Sequence, residues 1–439
     1  LALRYRGLTL GSDVLYSGNR TEGFDHFNFY ASFKISIEEM EHSFLKPPVP
    51  PFLHMITDTV PLPEGGFAGK ISFNPGETVK LYYSKNTIKS DSFNIRPIEK
   101  DTVVAKIFCS TRPQKIRKIK PWKNGFGYSI SSILKLKTLP TGIYLFDEKV
   151  PLIVKAKGTQ SKILIVIPTN EFAANNMAGG KSLHEAKKSK RPANVVSFFR
   201  PENLSDYQNL IPFFEFLKAD TSMHVGFIAE KDLENSTVFN GVRLVIIAGN
   251  CSHWTRRARS NFDRFIDKGG NTLVLSKEFM KWQVRYRQKG TQLICHKRKA
   301  TDLIQDPYLK TTTWDDPSLK YPRPAHIEKS EFDLSSFSQF TGLDSVDEVK
   351  NIQFKVRVEL SNPLVAALEV RNLNEKFSEK FIYAFGELAQ NCHPFVVLKR
   401  KTNSGFYVQS SYTDILHLNG KIDREVFNFL LRNFSREKN

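Results

Sequence analysis

The sequence predicts an antiparallel β-sandwich followed by a doubly wound α/β domain. Short strands separated by turn residues lie between residues 66 and 157, a spacing typical of a β-sandwich. From residue 162 onward, apolar strands alternate with amphipathic helices, as in βαβ crossovers on a parallel sheet. We expect an N-terminal arm with a proline-rich connector over 1–51, the sandwich over 52–158 and the α/β domain over 159–439.

The N-terminal segment is aromatic and then rich in proline. Residues 24–35 alternate enough to predict a strand or an arm lying on another surface. Residues 46–51 read Lys-Pro-Pro-Val-Pro-Pro, and so many prolines cannot continue a helix or a central strand. We therefore predict a stiff connector there.

The sandwich is predicted from five short apolar segments. Asn74-Pro75-Gly76-Glu77 supplies a turn between the first two, since proline presets one backbone dihedral and glycine accepts a positive one. The predicted strands are residues 67–73, 78–83, 103–108, 142–146 and 150–154.

The α/β domain is predicted from alternating patterns after residue 162. Strands are expected at 163–167, 224–228, 242–248 and 272–275, with helices at 203–218 and 258–268. After an irregular segment over 284–330, further strands are expected at 354–360, 364–370, 381–385, 395–398 and 405–410, then a helix at 423–434.

The strand at 163–167 is followed by a polar segment that we predict to be a loop containing Gly179 and Gly180. Open α/β sheets bind ligands at the carboxyl ends of their parallel strands. We expect a small-molecule ligand in a cleft at this edge.

Composition restricts the class of partner. Lysine and arginine number 64 against 45 acidic residues, a formal net charge of +19, which predicts an acidic partner or an anionic surface. Basic residues cluster over 112–123, 181–191 and 285–299, yet no specific nucleic-acid motif accompanies them.

No apolar run approaches the roughly 20 residues of a transmembrane helix. The four cysteines form no C-x-x-C pair, so we expect reduced thiols in a cytoplasmic protein.

Several segments in this order resemble the C-terminal region of the large (beta) subunit of N,N-dimethylformamidase. These segments are 163–183, 196–201, 245–255, 269–275 and 282–285, and the likeness covers about residues 60–435. The resemblance implies a sandwich packed on a glutamine-amidotransferase-like, flavodoxin-like α/β domain. It also implies an amidase that hydrolyses a linear amide, using iron held by two tyrosines and a glutamate.

The sequence departs from this family at the metal ligands. Asn175, before Asn176, stands where the family has a tyrosine, and Ser252 stands where it has a glutamate. Tyr144 is the candidate for the remaining tyrosine ligand, the alternative being a core tyrosine on a sandwich strand. The expected cofactor is iron if the family mechanism survives, and otherwise none.

Two other chemistries remain open for the predicted cleft. Cys251 follows a predicted buried strand and precedes a helix, as a nucleophile does in a strand–turn–helix elbow, with His253 or His184 as its base. Alternatively, Glu171, His184 and His253 are ligands for iron or zinc. The non-catalytic alternatives are that Cys251 is an inert buried cysteine and that the histidines lie at the surface or cap helices.

In either chemistry, Asn175 and Asn176 are predicted to stabilise an oxyanion, and Ser252 to line the cleft. Two functions stay open. One is hydrolysis of an amide carbon–nitrogen bond. The other is a catalytically inactive family member that binds a ligand or serves as an assembly subunit, in a homo-oligomer or with a second subunit.

Overall fold

A computed structural model of the chain describes sixteen stretches of sequence, which fall into two units, residues 1–61 and 62–439. The described residues are 2–5, 8–13, 30–35, 64–86, 88–135, 139–156, 161–187, 191–219, 223–276, 278–297, 302–314, 316–321, 377–385, 393–400, 406–410 and 431.

The first unit contains a three-stranded antiparallel sheet. Its strands are β1 (Ala2–Tyr5), β2 (Leu8–Asp13) and β3 (Tyr30–Ile35), in the order β1-β2-β3. The strand predicted within residues 24–35 is confirmed over β3. The predicted proline connector at 46–51 lies outside the described residues.

The second unit begins with two sheets that share one hydrophobic cluster. One has the order β5-β11-β10-β7-β8, and the other the order β4-β6-β9. Their side chains meet in a cluster that includes Leu81 and Phe146, both fully buried. The strands are β4 (Gly65–Ala68), β5 (Ser72–Phe73), β6 (Thr78–Ser84), β7 (Lys89–Pro97), β8 (Ala105–Thr111), β9 (Ser132–Lys135), β10 (Gly142–Phe146) and β11 (Val150–Val154).

One strand prediction in this region was wrong, and two strands, β7 and β9, were missed. The segment 67–73 divides into β4 and β5, because β4 pairs with β6 while β5 pairs with β11. Strand β7 was missed, since its sequence Lys-Ser-Asp-Ser-Phe-Asn-Ile-Arg-Pro is largely polar. Only Phe93 and Ile95 of β7 are buried apolar residues, too few for a clear alternating pattern.

A mixed seven-stranded sheet forms the centre of the second unit. Its order is β14-β12-β15-β17-β22-β21-β20, and its first five strands are parallel. The strands that complete the chain are β12 (Ile163–Ile167), β13 (Val195–Ser197), β14 (Val225–Ala229), β15 (Leu244–Ala248), β16 (Cys251–Thr255), β17 (Asn271–Leu275), β18 (Phe279–Arg287), β19 (Gln292–Ile294), β20 (Phe377–Phe385), β21 (His393–Arg400) and β22 (Phe406–Ser410).

Strand β12 shows why the centre of this sheet is apolar throughout. Ile163, Ile165 and Ile167 pack into one hydrophobic cluster, whereas Leu164 and Val166 pack into another. Alternate residues of a strand point to opposite faces, so both faces of the sheet are covered here. A strand buried on both faces has to read as an unbroken apolar run.

The second unit also contains a smaller, four-stranded sheet. It has the order β13-β19-β18-β16, with β16 parallel to β18 and the other pairs antiparallel. The segment 284–290 was predicted to be irregular, but it continues β18 and then forms a short 3-10 helix, Gln288–Gly290.

Apart from the single helical residue Leu431, the described residues contain only short helices. They are α1 (Pro121–Asn124), α2 (Thr169–Asn175), α3 (Ser205–Gln208), α4 (Ile211–Ala219) and α5 (Arg256–Asp267). The helix predicted at 203–218 is divided, because Pro212 has no amide hydrogen and is tolerated only in the first turn of α4. Among the described residues, no helix has the length and apolar character needed to cross a bilayer.

Helix α5 confirms its prediction and shows the local signals that define it. The Thr255 side chain accepts a hydrogen bond from the backbone amide of Ala258 and caps the first turn. Gly269, at a φ of 87°, ends the helix.

Three predicted elements fall mainly outside the described residues. They are the strands at 354–360 and 364–370, and the helix at 423–434, of which only Leu431 is described, as a buried helical residue. The described residues combine α/β and β content, with mixed sheets and few helices.

Candidate functional site

The site lies where β12 and β16 bring two short segments together. The prediction of a polar loop directly after β12 is wrong for its first residues, because helix α2 begins immediately after Pro168. Helix α2 carries Glu171, and the adjacent strand β16 carries Ser252 and His253. The apolar face of α2, with Ala173 and Ala174 buried, fixes that helix against the protein.

Glu171 is a buried carboxylate with four hydrogen-bond contacts. Its Oε2 lies 2.5 Å from the Ser252 hydroxyl, 3.3 Å from the Ser252 amide and 2.9 Å from Nδ1 of His253. Its Oε1 accepts a hydrogen bond of 3.2 Å from the Asn175 side chain. Burial opposes ionisation, but His253 and Ser252 outweigh it and hold the pKa of Glu171 well below its usual range. Glu171 is therefore ionised at neutral pH.

His184 lies beside this group. Its ring centroid is 5.6 Å from that of His253, with the two rings nearly perpendicular. Nζ of Lys297 lies 2.6 Å from Nδ1 of His184. Burial first, and then the charge of Lys297, lower the pKa of His184 to about 4. His184 is therefore neutral at neutral pH.

Glu171, His184 and His253 together have the donor set of a metal site. Each offers one ligand atom, and the three atoms lie within 4.8 Å of one another. Nε2 of His253 is buried and has no hydrogen-bond partner among the described residues, and in the tautomer in which Nδ1 donates to Glu171 it carries the lone pair. An unpaired buried nitrogen costs free energy, which a bound cation would recover.

A second set of contacts holds these residues in place. The Asn170 side chain donates to the backbone carbonyl of His253 (2.8 Å) and accepts from the hydroxyl of Tyr286 (2.9 Å). The Asn170 amide donates to the buried carboxyl of Glu230 at 2.6 Å. Burial raises the pKa of Glu230 to about 8.

Sequence reasoning missed three residues of this site, Glu230, Tyr286 and Lys297. Glu230 had a usable signal, because it follows β14 immediately and β14 is the neighbour of β12. Lys297 had none, since it approaches His184 from 113 residues away.

Cys251 does not occupy a strand–turn–helix elbow. It is the first residue of β16, and the helix begins only at Arg256. Its thiol is fully buried and donates to Oε1 of Glu230 at 2.8 Å, and burial together with Glu230 raises its pKa well above the ordinary value. This environment opposes formation of a thiolate.

Ser252 is equally unsuited to nucleophilic attack. It is fully buried, and its hydroxyl contacts Glu171 and Nδ1 of His253. In a catalytic triad, one ring nitrogen of the histidine contacts the serine hydroxyl and the other contacts the carboxylate. Here the Ser252 hydroxyl and the Glu171 carboxylate both contact Nδ1 of His253.

Tyr144 and Asn176 have structural contacts. The Tyr144 hydroxyl donates to the carbonyl of Pro140 at 3.0 Å, the residue is buried in the cluster between the first two sheets, and none of its contacts involves Glu171, His184 or His253. Asn176 donates to the carbonyl of Pro201 and accepts from the amide of Ala178. Its side chain is thus engaged at both ends.

An open cleft of about 580 Å³ is separate from the group of Glu171, His184 and His253, none of which lines it. Asn175 joins the two features, because it lines the cleft and also donates to Glu171. The cleft wall also includes Asn176, Gly179, Gly180, Glu202 and Asp206.

Arg200 holds the wall of this cleft. Its guanidinium is fully buried and donates to the backbone carbonyls of Ser197, Ala173, Asn176, Ala178 and Lys181, at 2.7 to 3.3 Å. One side chain therefore fastens the segment from α2 to the Gly179-Gly180 turn onto strand β13.

Comparison with known families gives one match. A family model described as N,N-dimethylformamidase beta subunit-like, C-terminal, matches residues 99–327, more than half of the chain, and this range includes the whole Glu171–His184–His253 group. The match confirms the resemblance found in the sequence. No curated protein matches the chain.

Proposed function

Because this chain belongs to the N,N-dimethylformamidase beta subunit-like, C-terminal family, we propose that it hydrolyses the carbon–nitrogen bond of a small amide. We assign the reaction to Glu171, His184 and His253. The observation that carries the proposal is that their three ligand atoms lie within 4.8 Å of one another, with Glu171 linked to an open cleft through Asn175.

The donor set supports iron or zinc as the cofactor. The resemblance implies iron held by two tyrosines and a glutamate, and this chain has Asn175 and Ser252 at two of those positions. Two imidazoles and one carboxylate are a recognised ligand set for both metals. We therefore propose that the ligand set was replaced, with Glu171 connected to the cleft through Asn175.

The protonation states of Glu171 and His184 favour metal binding. Ligands have to be deprotonated, and an ionised Glu171 and a neutral His184 meet that condition at neutral pH. A bound ion would polarise the amide carbonyl and lower the pKa of a water molecule. Ser252 and Asn175 orient the Glu171 carboxylate by hydrogen bonds.

Asn175 is the residue that we assign to the substrate carbonyl. Its amide nitrogen carries a second hydrogen beyond the one given to Glu171, and the residue lines the cleft. A preorganised donor of this kind contributes about 3 kcal/mol to stabilisation of an oxyanion.

The architecture that fits this function is a β-sandwich followed by a flavodoxin-like, glutamine-amidotransferase-like domain, divided near residue 158. The two sheets that share one cluster support the first part, and the parallel strands covered on both faces support the second.

A catalytically inactive, ligand-binding member is the second candidate, and Lys297 favours it. The lone pair on Nδ1 of His184 accepts from the Lys297 ammonium, and Glu171 already has internal donors. A metal that binds His184 through Nδ1 has to displace Lys297. Without displacement the cleft binds its ligand and performs no hydrolysis.

Elemental analysis of the purified, never-chelated protein tests the proposal. We expect near-stoichiometric iron or zinc in the wild type, its loss in His253→Ala, and its retention in His224→Ala, a matched change at an exposed histidine. Lys297→Met should bind the metal more tightly than the wild type, because the competitor for His184 is removed.

Release of dimethylamine from N,N-dimethylformamide, and of ammonia from formamide, tests the chemistry. Turnover that disappears in His253→Ala but persists in His224→Ala supports hydrolysis. A metal-free protein that has no turnover, and that stays metal-free in Lys297→Met, supports the inactive member.

A further inference from the structure

A short loop at the rim of the cleft combines a run of positive charges with exposed aliphatic side chains. Residues 115–120, the basic loop, read Lys-Ile-Arg-Lys-Ile-Lys and connect β8 to α1. All six residues are exposed. Ile119 is 82% exposed and Ile116 is 38% exposed. An exposed isoleucine side chain gains free energy when a partner removes it from water, and Ile119 is therefore suited to contact an apolar partner.

The exposure of Ile119 is fixed by the backbone. The Asn124 side chain donates to the carbonyl of Ile119 at 2.7 Å, and the Arg117 amide donates to the carbonyl of Phe126 at 2.9 Å. At the base of the loop, buried Gln114 donates to the carbonyl of Tyr83 at 2.9 Å. These bonds hold the loop in a defined shape that presents Ile119 to solvent.

No ion pair among the described residues neutralises the charges of the basic loop. None of the ion pairs found among the described residues involves Lys115, Arg117, Lys118 or Lys120. The loop therefore carries four cations in six residues.

We propose that the basic loop docks on an anionic lipid surface. Its four cations meet the headgroups, and Ile119, with Ile116, enters the boundary of the acyl chains. Ile116 also lines the cleft, so docking places the rim of the cleft beside the lipid.

Nucleic acid fits the same loop less well. Single strands are bound by cations together with exposed aromatic rings on which bases stack. The aromatic residue next to the loop is Trp122, which is only partly exposed and has the Lys181 ammonium 5.4 Å from its ring centroid. Aliphatic side chains gain nothing from a base, whereas they gain from burial in lipid.

Co-sedimentation of the full chain with phosphatidylcholine vesicles, with and without phosphatidylserine, tests the proposal. We expect binding only to the phosphatidylserine vesicles, weakening as salt is added. Replacing Lys115, Lys118 and Lys120 together by Gln should weaken binding about a hundredfold, since each such charge contributes about fivefold. Ile119→Asn should weaken it by about tenfold.

A charge-matched control replaces Lys100, Lys106 and Lys268 by Gln, three exposed lysines outside the loop. This variant should retain most of the binding, and circular dichroism should show that all variants are folded. Absence of wild-type binding to phosphatidylserine vesicles overturns the proposal, as does an equal loss in the two triple variants. Unchanged binding of Ile119→Asn overturns the insertion of Ile119, and displacement of the vesicles by single-stranded RNA assigns the loop to nucleic acid.

Discussion

Arg200→Met is the perturbation that most directly tests how the cleft wall is held. The change keeps an unbranched stem but removes the guanidinium, and with it all five hydrogen bonds to the carbonyls of Ser197, Ala173, Asn176, Ala178 and Lys181. Those carbonyls lose their charged donor, and methionine offers nothing in its place.

The expected destabilisation is about 3 kcal/mol. Hydrogen bonds from a charged donor are each worth about 1.5–3 kcal/mol, so five bonds represent a large gross loss. Removing the guanidinium also recovers the desolvation cost of several kcal/mol that a buried charge carries. The same burial lowers the pKa of Arg200 to about 9.

Chemical denaturation followed by circular dichroism measures the free energy of unfolding, and amide hydrogen exchange reports on the wall itself. We expect Arg200→Met to lose protection over residues 173–181. Arg200→Lys should be intermediate, because an ammonium has three donor hydrogens. Arg257→Met, at an exposed arginine, should change stability by less than about 0.5 kcal/mol.

A loss below about 1 kcal/mol in Arg200→Met, with unchanged exchange over 173–181, would refute this reasoning. The carbonyls would then have other donors, and the shape of the cleft would not depend on the guanidinium.

Three further predictions concern buried groups around the site. The folded protein holds the proton of Glu230 up to about pH 8, against an ordinary pKa of 4.5. Wild-type stability should therefore fall as pH rises from 4.5 to 8, and thermal melts of Glu230→Gln should lack this fall; parallel curves would contradict it. Cys251 should resist iodoacetamide in the native protein and react after denaturation, as peptide mapping will show, whereas rapid native labelling would contradict its burial. Gly179→Ala should cost about 1–3 kcal/mol more than Gly180→Ala, measured by denaturation. Both glycines have positive φ, but a Cβ at Gly179 would lie 2.7 Å from the Trp122 amide nitrogen, whereas one at Gly180 meets nothing within 4 Å; equal losses would exclude this contact.

An element could be predicted from the sequence when its own residues showed a clear pattern of apolar and turn residues. Strands β10, β11 and β12 have the predicted bounds, because their residues are apolar and turn residues flank them. Helix α2 was mistaken for a loop, since its polar residues are buried by site contacts that a periodicity pattern does not show. The family resemblance was likewise available from short motifs in order, and the family match confirmed it.

The sequence by itself determined the apolar strands, the long capped helix α5, the family and the individual candidate residues Glu171, His184 and His253. Those features depend on composition and spacing within a few residues. Only the tertiary structure decided that the three candidates meet, that Tyr144 has no contact with them, and that Lys297 competes for His184. Glu171 and His253 are 82 residues apart, and their contact depends on which strands become neighbours, a choice made by the packing of the whole sheet.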